Sequence, residues 1–204
     1  DRLAFFEQWV QKALQQEELL HVDETGINIG GKRCWLHNVS SLGLSHFAPH
    51  AKRGGEAVES IGILPGFHGI LCHDHWKPYF HYGRVHALCN AHHLRELERA
   101  WEQDGQQWAQ QLSLLLKEAN EMVHGAGGCL DSATAEQYRV RYRELLQQAE
   151  LECPAPKPTP KSGKRGRTAK SKSRNLLERL QSFETDVLRF LDDPQVPFTN
   201  NTAE

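Results

Sequence analysis

The chain has 204 residues, a formal net charge of −2 and a quarter of its side chains charged. That is enough for one sizeable core, or one core carrying an insertion. No stretch approaches the roughly 20 apolar residues of a membrane span, and no signal-peptide pattern opens the chain. Its five cysteines (Cys34, Cys72, Cys89, Cys129, Cys153) are scattered, odd in number and without a CxxC pair, which argues against a disulfide framework and fits a reducing cytosol.

In chain order, Leu3, Phe6, Val10, Ala13 and Leu14 fall at helical spacing and predict an amphipathic helix over 2–18. Leu19-Leu20-His21-Val22 then runs as a strand into Asp23. Ile27–Ile29 and Cys34–Val39 flank Gly30-Gly31, the pattern of a tight hairpin. Ser41-Leu42-Gly43 turns the chain into a third strand over Leu44–Ala48. A short helix over 55–64 should stop at Pro65-Gly66. Ile70-Leu71-Cys72-His73 is a short apolar run ending in Asp74, and Val85–Leu88 is another, so both read as buried strands.

From Asn90 the periodicity turns helical, with Asp104-Gly105 as the expected break and a further helix over 133–150. Pro154–Ser173 is rich in Pro, Lys, Gly and Ser and reads as a disordered linker. Lys157–Arg174 holds eight Lys or Arg and no acid, a local excess that the net charge hides. A helix over about 174–191 follows, then Thr199-Asn200-Asn201-Thr202-Ala203-Glu204, in which Asn201 and Glu204 have the spacing of a capping box. Asp1 is not a natural start and Glu204 falls in the opening of that last helix, so the chain reads as an excised fragment. The expected class is α/β: a mixed sheet flanked by helices and interrupted by a mostly helical insertion. The expected boundaries are 1–98 for the first part of the core, 99–195 for the insertion with its basic linker at about 153–173, and 196–204 for the start of a truncated closing helix.

Asp23 and Asp74 sit at corresponding ends of two apolar strands. A carboxylate there is costly without a positive partner, and two on neighbouring strands would recruit a cation. Hard divalent ions such as Mg²⁺ or Mn²⁺ suit oxygen ligands and keep waters that a phosphate can replace. Taken singly, each Asp reads more readily as a turn or cap residue; the pair at matching places is what points to a cation.

The segments His21-Val22-Asp23-Glu24-Thr25-Gly26, Gly31-Lys32-Arg33-Cys34-Trp35-Leu36-His37, Arg53-Gly54-Gly55-Glu56-Ala57, His73-Asp74-His75-Trp76-Lys77-Pro78-Tyr79, Cys89-Asn90-Ala91-His92-His93-Leu94-Arg95 and Asn200-Asn201-Thr202-Ala203-Glu204 occur here in order. In them the chain resembles the insertion-sequence-66 transposase family, a bacterial DDE group with a ribonuclease-H-like catalytic fold. The resemblance implies that Asp23, Asp74 and Glu204 are a catalytic triad holding two Mg²⁺ or Mn²⁺ ions. The implied reaction is cleavage of a DNA strand at the element's end, followed by attack of the freed 3′-hydroxyl on target DNA. It also implies work as a homo-oligomer on transposon ends and target DNA, in the bacterial cytoplasm at the nucleoid, without a membrane.

Cys89-x-x-His92 is similar to a Cys-x-x-His pattern that related transposases carry after the second Asp. A structural zinc needs four ligands and no second pair accompanies it, so local packing beside the site is the preferred role. Arg95, Asn200 and Asn201 are expected to support the site with Cys89 and His92. Lys52, Arg53, Trp76 and Lys77, with Lys164, Arg165 and Arg167 of the basic run, are candidates for DNA contact. Trp76 and Tyr79 could stack on an unpaired base or serve as core aromatics. Two other readings share these residues: a catalytically inactive remnant or DNA-binding scaffold, and a stand-alone metal-dependent nuclease.

Overall fold

The computed structural model describes residues 2–156 and 170–203. The fold is α/β, and the chain divides into two compact units. One comprises the first 89 residues and those from Gln195 onward; the other is Asn90–Pro194.

The first unit opens with α1 (Arg2–Gln15), of which only the second half packs closely: Val10 and Leu14 are buried, while Leu3 and Phe6 of the expected apolar face stand exposed. β1 (Leu19–Ile29) and β2 (Lys32–Ser40) form a continuous antiparallel hairpin. Its two-residue turn, Gly30-Gly31, has φ of 57° and 79°. Positive φ at both central positions lets the turn follow the right-handed twist of the strands, and glycine takes it without steric cost. β3 (Ser45–His50) pairs with β2 antiparallel, and β4 (Ile70–His73) and β5 (Val85–Leu88) add on the other side in parallel. The order is β3-β2-β1-β4-β5, the mixed sheet of a ribonuclease-H-like arrangement.

Between β3 and β4, α2 (Gly55–Ile61) ends at Gly62, which takes a left-handed φ of 79°. The stop therefore comes three residues before the Pro65 expected to impose it, and Pro65 instead opens a 3-10 turn, Leu64–Gly66. A glycine C-cap closes the last carbonyls without needing a proline.

One face of this sheet is apolar. Leu20, Val22, Val39 and Leu71 pack with Val10 and Leu14 of α1, Val58 of α2, and Ile63, Leu64, Phe67 and Tyr79. Alternation along β1 and β2 puts His21, Asp23, Asn38 and Ser40 at the opposite parity. β4 is set close against β1: the Ile70 amide donates to the Glu18 carbonyl at 2.8 Å, and a Cβ on Gly69 would overlap that same oxygen.

The second unit is helical: α3 (Asn90–Asp104), α4 (Gln107–Gly125), α5 (Ser132–Glu152), α6 (Lys172–Ser182) and α7 (Glu184–Val187), then a 3-10 turn at Arg189–Leu191. Gly105, with φ 67°, makes the break between α3 and α4. The single helix expected over 174–191 is instead broken at Phe183. Asp131 caps α5 by accepting from the amides of Ala133 and Thr134, and Ser171 caps α6 through Arg174 N–H. Trp108, Leu112, Leu116, Tyr142, Leu177 and Leu180 fill the core. Arg174, at the end of the basic run, is buried and ion-paired with Glu150 (2.5 Å) and Glu178 (2.9 Å). Residues 157–169 of the expected linker lie outside the described residues; at its C-terminal edge the helix starts at Lys172, two residues earlier than expected, with Ser171 as its cap. No helix among the described residues is long and apolar enough to cross a membrane.

Candidate functional site

β1 and β4 run parallel in the register Leu19–Ile70, Leu20–Leu71, His21–Cys72. The pairing stops there; Asp23 lies two residues further along β1, and Asp74 follows the last residue of β4, two residues beyond Cys72. Both acids are half-buried. The Tyr79 phenol responds to the two together: burial first, then Glu24, and then Asp23 and Asp74 as well, all drive its ionisation well above the usual phenol range. Three acids therefore lie within electrostatic reach of one buried hydroxyl.

Asp74 is held by local backbone geometry. Its Oδ1 accepts the Trp76 amide at 2.9 Å, and the intervening His75 has a φ of 74°, rare for a residue with a Cβ. The His75 amide donates to Nδ1 of His73, whose Nε2 lies 3.2 Å from His86 Nδ1. Burial, with His86 and His75 nearby, pushes the His73 ring down to about 3, so it is neutral at physiological pH.

The segment leading to Glu204 reaches the other side of Asp23. Asn200, fully buried, lies with its Oδ1 2.8 Å from His21 Nδ1 and donates from Nδ2 to the Val22 carbonyl at 2.9 Å. Its own amide donates to Sγ of buried Cys89 at 3.1 Å. Asn38 is the direct cross-strand partner of Asp23, and its side-chain amide donates to the Ala203 carbonyl at 2.8 Å. Ser40 fixes that amide by donating to Asn38 Oδ1 at 2.7 Å. Each amide here is buried and has both its donor and acceptor satisfied, the arrangement that makes a polar contact specific. Asn201 is exposed. Glu204 itself lies outside the described residues, as do Lys164, Arg165 and Arg167.

Glu24, which follows Asp23 and points to the other face, belongs to a cluster that sequence reading left unassigned. Its side chain has no solvent exposure and pairs with Arg53 at 2.5 Å (Nη2) and 2.7 Å (Nε). Its second oxygen accepts from the Tyr79 hydroxyl at 2.5 Å. Burial raises the Glu24 carboxyl above its ordinary range, Tyr79 and Arg53 pull it back down, and Asp74 adds a smaller upward push. The Arg53 guanidinium carbon lies 4.9 Å from the ring centroids of both Trp35 and Trp76, and Arg33 covers Trp35 at 5.0 Å. Guanidinium and indole thus alternate, Arg33–Trp35–Arg53–Trp76. The clue in the sequence was parity alone: adjacent acids on a strand face opposite ways.

Lys52 pairs with Glu56 at 2.6 Å on the surface, a contact of small weight, and Lys77, three residues after Asp74, is exposed. His92 and Arg95 lie on α3 in the helical unit, half-buried and exposed respectively. Among the described residues no group of three His, Cys, Asp or Glu is arranged to hold a metal ion. The side chains of Asp23 and Asp74 carry hard carboxylate oxygens, the ligand chemistry that suits Mg²⁺ or Mn²⁺ rather than zinc.

The model of the Transposase IS66 family matches residues 1–204. No curated protein and no solved structure matches the chain.

Proposed function

Since this chain belongs to the Transposase IS66 family, we propose that it is the catalytic part of a DDE-type enzyme that cuts DNA at the element's ends and joins the freed 3′-hydroxyl to target DNA. The triad is Asp23, Asp74 and Glu204, the cofactor a pair of divalent cations, Mg²⁺ or Mn²⁺. The observation that carries this reading is the tether from Asn38 to the Ala203 carbonyl. It anchors the backbone that enters Glu204 to the residue directly opposite Asp23, on a sheet in which the strands that lead to Asp23 and Asp74 pair in parallel.

Bound divalent cations supply the Lewis acidity that activates water or a 3′-hydroxyl and stabilises the leaving oxygen of an in-line displacement at phosphorus. What the protein contributes is placement. Asp23 and Asp74 offer negative oxygens side by side, a pairing that repels unless positive charge lies between them. The Trp76 amide keeps one Asp74 oxygen turned back to the chain, which orients the other. His21 and Asn200 hold the closing segment in register with β1. Lys77 and Lys52, with Lys164, Arg165 and Arg167 of the basic run, add attraction for the DNA backbone that weakens with salt. The enzyme works on transposon ends and target DNA as an assembly of copies, in the bacterial cytoplasm at the nucleoid.

The test is Asp23→Asn in the full-length protein, assayed on duplexes carrying the element's end. Cleavage and strand transfer should fall at least about 100-fold, with DNA affinity unchanged. Strand transfer at the wild-type rate overturns the proposal. Nicks without joined products from the wild-type protein would make it a nuclease.

A further inference from the structure

The Glu24–Arg53 cluster joins the three segments that carry the two aspartates and their neighbours. Glu24 is bonded through the backbone to Asp23. Its carboxylate takes the Tyr79 hydroxyl, from the turn that follows Asp74, and both Nε and Nη2 of Arg53. Arg53 comes from the loop after β3 and lies between Trp35 of β2 and Trp76, and the Trp76 amide holds Asp74 Oδ1. A continuous chain of contacts therefore runs from Asp23 through Glu24, Arg53 and Trp76 to Asp74. Two of the Arg53 nitrogens are committed to Glu24 and its guanidinium carbon lies 4.9 Å from both indole centroids, so its place is set from three sides even though the side chain is 41% exposed.

We propose that Arg53 is a positioning residue: clamped between Trp35 and Trp76 and paired with Glu24, it fixes where Asp74 stands relative to Asp23 and so sets the affinity of the paired acids for divalent metal. The role rests on the two-metal reading above. It needs a planar cation. Lysine keeps the charge but cannot lie flat between two rings or offer two nitrogens to one carboxylate.

The experiment compares Mn²⁺ affinity by calorimetry, DNA affinity by anisotropy, and single-turnover cleavage at saturating DNA, all in the full-length protein. Arg53→Lys should lose about 10-fold in Mn²⁺ affinity, the scale expected when a group that orients metal ligands is removed. Its DNA affinity should stay unchanged, and its cleavage rate should recover as Mn²⁺ is raised. Trp35→Leu removes one wall of the clamp and leaves the ion pair, so it tests the same idea should the lysine variant not fold; its loss should be smaller and in the same direction. Asp74→Asn is the control for the underlying reading and should abolish the Mn²⁺ signal. If that control loses metal while folded Arg53→Lys or Trp35→Leu binds it as wild type does, the positioning role is overturned and the two-metal reading stands. If Arg53→Lys weakens DNA binding with Mn²⁺ affinity intact, Arg53 is a phosphate contact and the proposal fails. If Asp74→Asn binds Mn²⁺ normally, both fall.

Discussion

His73 has no exposure to solvent, and its two ring nitrogens face the His75 amide and the His86 ring. In the unfolded chain such a ring takes up a proton near about 6.5, whereas burial holds the folded one down to about 3. Between those values the unfolded state binds one more proton, so this contribution to stability is complete at neutral pH and is lost as pH falls. The slope is about 1.4 kcal/mol per pH unit. Asparagine can present an acceptor to the His75 amide without carrying a proton, so His73→Asn should flatten the acid limb by about one proton. Urea titrations at successive pH values between about 6 and 4 would show it, and an unchanged slope would mean that His73 is not the group responsible. At this scale the sequence drew attention to two acids and passed over their neighbours. Asp23 and Asp74 stood out because each ends an apolar run. Glu24 did not, because its partners Arg53 and Tyr79 come from segments 29 and 55 positions away. Only the folded register reveals that Glu24 turns inward.

Among elements, the junction of β1 with β4 pairs the strands that lead to the two aspartates. Gly69 stands at that junction because any side chain would strike the Glu18 carbonyl, a backbone atom that cannot step aside. Gly69→Ala should therefore cost about 2–3 kcal/mol in unfolding free energy. Gly26→Ala should stay within about 0.5 kcal/mol, because there the added methyl meets only the movable end of Arg33. Denaturant melts of the two variants give the comparison, and equal losses would remove the argument from close approach. The strands were legible from alternation, and so were the Gly30-Gly31 turn and the Asp104-Gly105 break, since glycine at a positive φ is a local signal. The close fit at Gly69 and the break at Phe183 were not, because both depend on what another segment brings alongside.

For the molecule as a whole, the chain leaves its sheet after Cys89 and rejoins it at Gln195. The span between has its own core, built on Trp108, Leu116, Tyr142 and Leu180, and its own buried ion-pair network at Arg174. Residues 90–194 expressed alone should melt as a cooperative helical unit by circular dichroism; a non-cooperative loss of signal would show that they borrow stability from elsewhere. We propose that this unit is an insertion within the catalytic core. The seat of Asn200 on His21 spans 179 positions of sequence, and that distance has a consequence in time. During translation the strands bearing Asp23 and Asp74 leave the ribosome long before the residues that dock against them. Under the proposed assignment, a nascent polypeptide lacks its third acid until synthesis has gone past the helical span.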